Sequence, residues 1–421
     1  MRAWTPDQIA TACGARVVAG AAVAGGPSRV TIDSRDVGPG DLFVGLLGER
    51  VDGGSYAAQA LATGAWGVLV SGGHAAGLED AADGVVIGAE DPLRALQALA
   101  TAWRRELGAD VVAITGSTGK TSTKDILLAM LAPARRTVAT PQNLNTEIGL
   151  PLVVLSAPAG TEVLVLEMGM RGAGQIAELA AIAEPDVGVI VSIGAVHLEL
   201  LGTVEAVAAA KAELIAGLRP GGTAVVPAGE RLLEPFLRED VETVTFGPGG
   251  DVDDLAGIEL PFDAAHLLLD AMAAKAAAAA IGVVVEGPIA VAFSSRRGER
   301  LALPGGVTIV DDCYNANPMS MRAALDELSR APGRRVAVLG DMLELGEGEV
   351  GYHVDVGAYA RDRADVLVTV GPLAAQMGGD YAVVDAAAAT ELVEALMEPG
   401  DTILVKASNG VGLHVIAESL R

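Results

Sequence analysis

Short runs of consecutive apolar residues recur along the chain, and most are followed by a stretch with helical apolar spacing. Val111-Val-Ala-Ile, Val163-Leu-Val-Leu and Val187-Gly-Val-Ile-Val are three of them, and Val307-Thr-Ile-Val, Arg335-Val-Ala-Val-Leu, Val366-Leu-Val-Thr-Val and Thr402-Ile-Leu-Val-Lys follow later. A strand with no polar alternation has no wet face, so both of its faces must be covered. Helices between such strands supply the cover and imply mostly parallel sheets, an α/β class. At 421 residues the chain exceeds one ordinary core, and two or three domains are expected. Residues 1–90 mix short strands with Gly-rich turns, 91–297 alternate strand and helix strictly, and 298–421 read as a second doubly wound unit. Pro92 to Leu107 carries plain helical periodicity with proline at its start. The long apolar stretch from Ala271 to Phe293 is broken by Lys275, Glu286 and Pro288, so it reads as an Ala-rich helix followed by a strand and not as a membrane span.

A net charge of −25 argues against nucleic-acid binding, because phosphate backbones require Lys and Arg. It also means that an anionic substrate must be met by local cations, helix N-termini and metal ions. Two cysteines, Cys13 and Cys313, are too few for a disulfide framework or a four-thiolate metal site. The first residues, Met1-Arg-Ala-Trp-Thr-Pro, lack the apolar stretch of a secretory signal. Together these features predict a cytoplasmic protein without membrane insertion.

The strongest chemical signal is Ala113-Ile-Thr-Gly-Ser-Thr-Gly-Lys-Thr-Ser. A buried strand feeds a Gly-rich turn, and a helix opens at Lys120. Backbone amides there can cradle phosphates, Lys120 can reach the outer phosphates, and the Thr121 hydroxyl can bind Mg²⁺. Residues Thr115, Gly116, Ser117, Thr118, Gly119, Lys120, Thr121 and Ser122 are the nucleotide-binding candidates. The loop is short: only Ser117 and Thr118 separate Gly116 from Gly119-Lys120. Glu167 closes one later strand and His197 follows another. Ligands of open parallel sheets gather beyond the carboxyl ends of the strands, so both are expected to converge on the loop as metal ligands. Lys211, read from sequence alone, is a solvated helix lysine.

These residues resemble the Mur ligases, and within them the branch that adds D-alanyl-D-alanine. The shortened loop, Thr146-Glu-Ile-Gly-Leu-Pro, Asp311-Asp-Cys-Tyr-Asn-Ala-Asn-Pro-Met-Ser-Met and Gly340-Asp-Met-Leu-Glu-Leu-Gly carry the resemblance, which spans nearly the whole chain. It implies three domains: a small N-terminal α/β UDP-binding domain, a central P-loop ATPase domain, and a C-terminal Rossmann-like domain that brings the amine substrate. It implies an ATP- and Mg²⁺-dependent ligase acting on UDP-N-acetylmuramoyl-tripeptide and D-alanyl-D-alanine through an acyl phosphate, as a monomer. By the same resemblance Ser34 and Arg35 contact the uridine diphosphate, and Asn143 and Asn145 the muramoyl substrate. Thr121, Glu167, His197 and a carbamylated Lys211 hold Mg²⁺, with Lys120, His197 and Lys211 as the catalytic set. Asn317 contacts adenine, Asp312 ribose and Arg297 phosphate, while Lys406 and Ser408 face the amine substrate.

Five positions depart from the family pattern. Thr146 and Asp270 stand where relatives usually have Asn. Asp52-Gly53-Gly54 replaces Asp-Gly-His, and Ala407 and Asn409 replace Gly and Arg. Two other enzyme readings are another Mur-type ligase and a folylpolyglutamate synthase; the leading region of about 90 residues and the Tyr314-Asn-Ala-Asn-Pro string speak against them. A non-catalytic nucleotide-binding homologue would not need the intact set of Lys120, Thr121, Glu167, His197 and Lys211.

Overall fold

A computed structural model describes residues 1, 3–79 and 84–421, and these form three successive sheets wrapped by helices. The first sheet has the order Arg16–Ala19, Val85–Ala89, Gly67–Ser71, Asp41–Val44, Arg29–Thr31, parallel except for the first strand at its edge. The second is wholly parallel, in the order Glu242–Phe246, Thr223–Pro227, Val187–Ile190, Asp110–Thr115, Val163–Glu167, Thr137–Ala139. The third runs Glu299–Ala302, Thr308–Asp311, Thr402–Lys406, Arg335–Gly340, Val366–Val370, Tyr381–Val383, with only the first strand antiparallel. The apolar strands expected from the sequence occupy the middles of the second and third sheets. Every residue of Val163–Glu167 and Thr402–Lys406 is buried.

Helix Pro92–Leu107 shows how local sequence sets an element's bounds. Asp91 caps it by accepting from the amides of Leu93 and Arg94 at 2.8 and 3.2 Å, Pro92 starts it, and Gly108 ends it at φ +60°, a left-handed value glycine adopts without strain. The helix serves two sheets at once. Leu96 and Leu99 lie in one continuous cluster with Leu42 and Leu69 of the first sheet and Val111 and Leu164 of the second. Trp103 donates its indole N–H to the Ala157 carbonyl at 3.0 Å and meets Trp4 edge-on. The third sheet packs around clusters of its own, centred on Leu325 and Leu339 on one face and on Ile309 and Val338 on the other.

The Ala-rich helix runs from Ala265 to Ala280, and its alanines pack tightly on helix Lys120–Leu131. The strand expected after it shrinks to Gly287–Pro288, paired with Ile258–Glu259. Pro288 has no N–H to extend a ladder, and Val284 is exposed. No helix among the described residues is long and apolar enough to cross a membrane.

Candidate active site

In the second sheet, strand Asp110–Thr115 has Val163–Glu167 on one side and Val187–Ile190 on the other. The segments that leave the carboxyl ends of these three strands therefore converge. The turn after Thr115 passes through Gly119 at φ +79° and enters helix Lys120–Leu131, whose first amides have no carbonyl within the helix to receive them. Ser192, at the end of the neighbouring strand, braces the turn: its carbonyl accepts from the Ser117 amide and its Oγ from the Thr118 amide, both at 2.9 Å. Lys120 folds back and donates from Nζ to the Gly116 carbonyl at 2.7 Å.

Glu167 reaches the same point from the adjacent strand. Its Oε2 accepts from the Thr121 hydroxyl at 2.7 Å and its Oε1 from the Asn145 amide at 2.8 Å, with the side chain all but sealed from solvent. A hydroxyl and a carboxylate meeting at the mouth of a phosphate loop are hard oxygen donors of the kind Mg²⁺ takes. Among the described residues no cluster of three or more His, Cys, Asp and Glu side chains could hold a metal alone.

Around this centre lies a cleft of about 1080 Å³ between the second and third sheets. It gathers Asn143, Asn145, Glu167, His197 and Lys211 from the second, Asp312, Asn317, Lys406 and Ser408 from the third, and Arg297 from the junction. Ser117 to Ser122 line it as well. Burial holds the Lys120 ammonium below its usual range, with Glu167 opposing the shift and Arg297 adding to it. Six Lys and Arg side chains and seven Asp and Glu side chains line the cleft, against 29 and 54 in the whole chain, so it is richer in cations than the rest of an acidic protein.

Lys211 corrects the reading from sequence. It is not solvated but 2% exposed. No carboxylate among the described residues pairs with it, and burial first, then Lys120, holds its amine well below the usual lysine range. His197 is also held down, chiefly by burial, although Glu344 pulls it back. Its ring meets Glu344 through Nδ1 at 2.5 Å, a contact from the second sheet to the third.

Other expected residues are placed differently. Thr115 is buried beneath the cleft, its hydroxyl donating to the Met168 carbonyl at 3.0 Å, and Gly116 presents its carbonyl to Lys120. Asn317 caps helix Pro318–Leu328, its Oδ1 accepting from Ser320 N at 2.9 Å, which leaves its amide N–H groups for any ligand. Asp312 and Lys406 pair at 2.6 Å, and Arg297 stacks over Tyr314 at 4.0 Å. Ser34 and Arg35 lie away from the cleft, beyond strand Arg29–Thr31, where Arg35 pairs with Asp33 at 2.7 Å. The departing residue Asp270 lines the cleft with its Oδ2 unpartnered, and burial drives its carboxyl well above the usual range. Glu344 drew no role from sequence, although it sits within Gly340-Asp-Met-Leu-Glu-Leu-Gly. Only the fold brings it to His197.

Three stretches match described protein families: the Mur ligase family catalytic domain over residues 28–104, the Mur ligase middle domain over 114–281, and the Mur ligase glutamate ligase domain over 296–409. The UDP-N-acetylmuramoyl-tripeptide–D-alanyl-D-alanine ligase of Bacillus subtilis (strain 168) is 37% identical, over 93% of this chain and 92% of that protein. The crystal structure of MurF from Acinetobacter baumannii superposes with a TM-score of 0.87 at 28% identity, covering 99% of this chain and 98% of that one. MurF ligase from Thermotoga maritima in complex with ADP gives 0.82 at 29% identity, over 93% and 96%. A cleft built on a shortened phosphate loop, and identity that runs almost from end to end, place this chain in the Mur ligase family.

Proposed function

We propose that this chain uses ATP and Mg²⁺ to join D-alanyl-D-alanine to UDP-N-acetylmuramoyl-tripeptide, in the cytoplasm and as a monomer. The observation that carries the reading is the Thr121–Glu167 contact beside Lys120 in a chain so similar to ligases of that name. In this reading the units 1–90, 91–297 and 298–421 receive the UDP moiety, the ATP and the amine.

The residues would divide the work as follows. Lys120 exchanges the Gly116 carbonyl for the outer phosphates, and the loop amides with Arg297 hold the rest of the triphosphate. Thr121, Glu167, His197 and a carbamylated Lys211 hold Mg²⁺, which would offset the charge of phosphate and carboxylate as they approach. Asn317 and Asp312 face adenine and ribose, Asn143 and Asn145 the muramoyl peptide, Ser34 and Arg35 the uridine diphosphate, and Lys406 and Ser408 the dipeptide. A carboxylate oxygen of the tripeptide attacks the γ-phosphorus and ADP leaves. The dipeptide amine then attacks the acyl carbon, and phosphate and a proton depart. Positioning and charge neutralisation dominate such a reaction.

The test is phosphate release together with product mass. Release should require both UDP-tripeptide and dipeptide, and Lys120→Ala should lower it by on the order of a hundredfold, as loss of one transition-state donor does. Undiminished amide synthesis by that variant would overturn the reading.

A further inference from the structure

His197 and Glu344 share an unusual backbone state. Both are non-glycine residues in the left-handed region, at φ +52° and +65°. They face each other across the two sheets that bound the cleft, with His197 Nδ1 against Glu344 Oε2 at 2.5 Å. Backbone outliers of this kind persist only where the surroundings over-determine them, and they cluster at functional sites.

The surroundings do fix Glu344. Its loop is pinned at two amides: Met342 donates to His353 Nε2 at 2.9 Å and Leu343 to Ser408 Oγ at 3.0 Å. The carbonyl of Glu344 accepts from the amide of Glu199, two residues beyond His197, at 3.3 Å, and Oε1 lies 3.9 Å from Arg171 Nε. The carboxylate is therefore aimed at the imidazole by its own unit and received by the other. When Glu344 Oε2 accepts from Nδ1–H, the proton is placed on Nδ1. The Nε2 lone pair is left free at the side chain that lines the cleft. A carboxylate behind a metal-binding histidine sets ring orientation and tautomer and raises ligand basicity.

We propose that Glu344 is a positioning residue that prepares His197 to bind Mg²⁺ only when the third unit is docked on the second. This rests on the reading of His197 as a Mg²⁺ ligand. Domain docking and cation binding then become reciprocal: each strengthens the other by the same factor. A ligase built this way holds its cation firmly only when the unit bringing the amine is in place.

The full-length protein can be titrated with Mn²⁺ in the presence of AMPPNP, following free Mn²⁺ by electron paramagnetic resonance. Glu344→Ala should weaken Mn²⁺ binding about ten- to a hundredfold, and the shape-preserving Glu344→Gln, whose amide oxygen can still accept, should weaken it less. In ¹⁵N-imidazole spectra of the Mg²⁺–AMPPNP complex, His197 should carry its proton on Nδ1 in the wild type and lose that preference in Glu344→Ala. Mn²⁺ affinity in Glu344→Ala equal to the wild type, or losses from His197→Ala and Glu344→Ala that simply add, would overturn the proposal. His197→Ala separates the two ideas. If it leaves Mn²⁺ affinity unchanged, the ligand reading of His197 fails and this inference fails with it. If it weakens binding while Glu344→Ala does not, only the inference fails.

Discussion

The carboxyl of Asp270 lies so close to the backbone of Gly119 that a Cβ there would sit 2.4 Å from Oδ1. The phosphate loop thus turns in a space already occupied from behind, and glycine is required twice, for its φ of +79° and for its missing side chain. Gly119→Ala should cost roughly 1–3 kcal/mol of stability from backbone strain alone. It should weaken ATP binding as well, because the loop must move to admit the methyl group. Urea denaturation and nucleotide titration of the same variant would check both; wild-type values in both would show that the loop has slack.

The same carboxyl has a pH signature. Burial raises the Asp270 carboxyl well above its ordinary 3.8, so the folded protein holds this proton more tightly than the unfolded chain. A raised folded value contributes stability that is fully present below the unfolded value and is lost as pH rises through the folded one. Asp270→Asn removes that loss. The variant should be more stable than the wild type near neutral pH, and the gap should close as pH falls below about 4. Urea midpoints at the two pH values measure it, and a gap independent of pH would refute it.

Desolvation first, and then Lys120, hold the buried Lys211 amine well below the usual lysine range, and that shift favours the neutral form, in which an amine adds to carbon dioxide. With ¹³C-bicarbonate the wild type should give a carbamate carbon signal that Lys211→Arg lacks. The variant should lose activity by at least about tenfold, in line with loss of one metal-supporting group. A carbamate signal that survives the substitution would assign it elsewhere.

Lys406 donates to Asp312 Oδ2 at 2.6 Å and to the Asn315 carbonyl at 3.0 Å, with its side chain only 3% exposed. Lys406→Ala leaves a half-buried carboxylate and a carbonyl without their donor, at a cost of about 1–3 kcal/mol. Adding Asp312→Ala should recover part of that loss, because the unpaired charge goes with it. Chemical denaturation of the single and double variants gives the comparison.

What could be read from the sequence tracks how local the determinant is. Helix Pro92–Leu107 begins at its Asp91 cap and ends at Gly108, helix Lys120–Leu131 opens after Gly119 and stops two residues before Pro133, and the phosphate loop is contiguous. Glu167 and His197 could be placed because strand ends in a parallel sheet point one way. Lys211 could not be placed by its own residue type, although its helix carried a hint. Val207, Ala208, Ala210, Ala212, Leu214 and Ile215 leave Val204–Ala216 apolar almost all round, and such a helix has little face to give to water. Glu344 was out of reach because its partner lies 147 residues away on another sheet, and only the packing of the two units brings them together.

The single apolar cluster that runs from Leu42 through Leu96 to Val111 and Leu164 has a consequence for how the molecule comes apart. Residues that bury one shared interior melt together, whereas the third sheet, with interiors of its own, has no such obligation. Scanning calorimetry should resolve two endotherms and not three: one for the first two units fused, one for the last. The first two units would then lose their structure as one body, and the final hundred-odd residues as another.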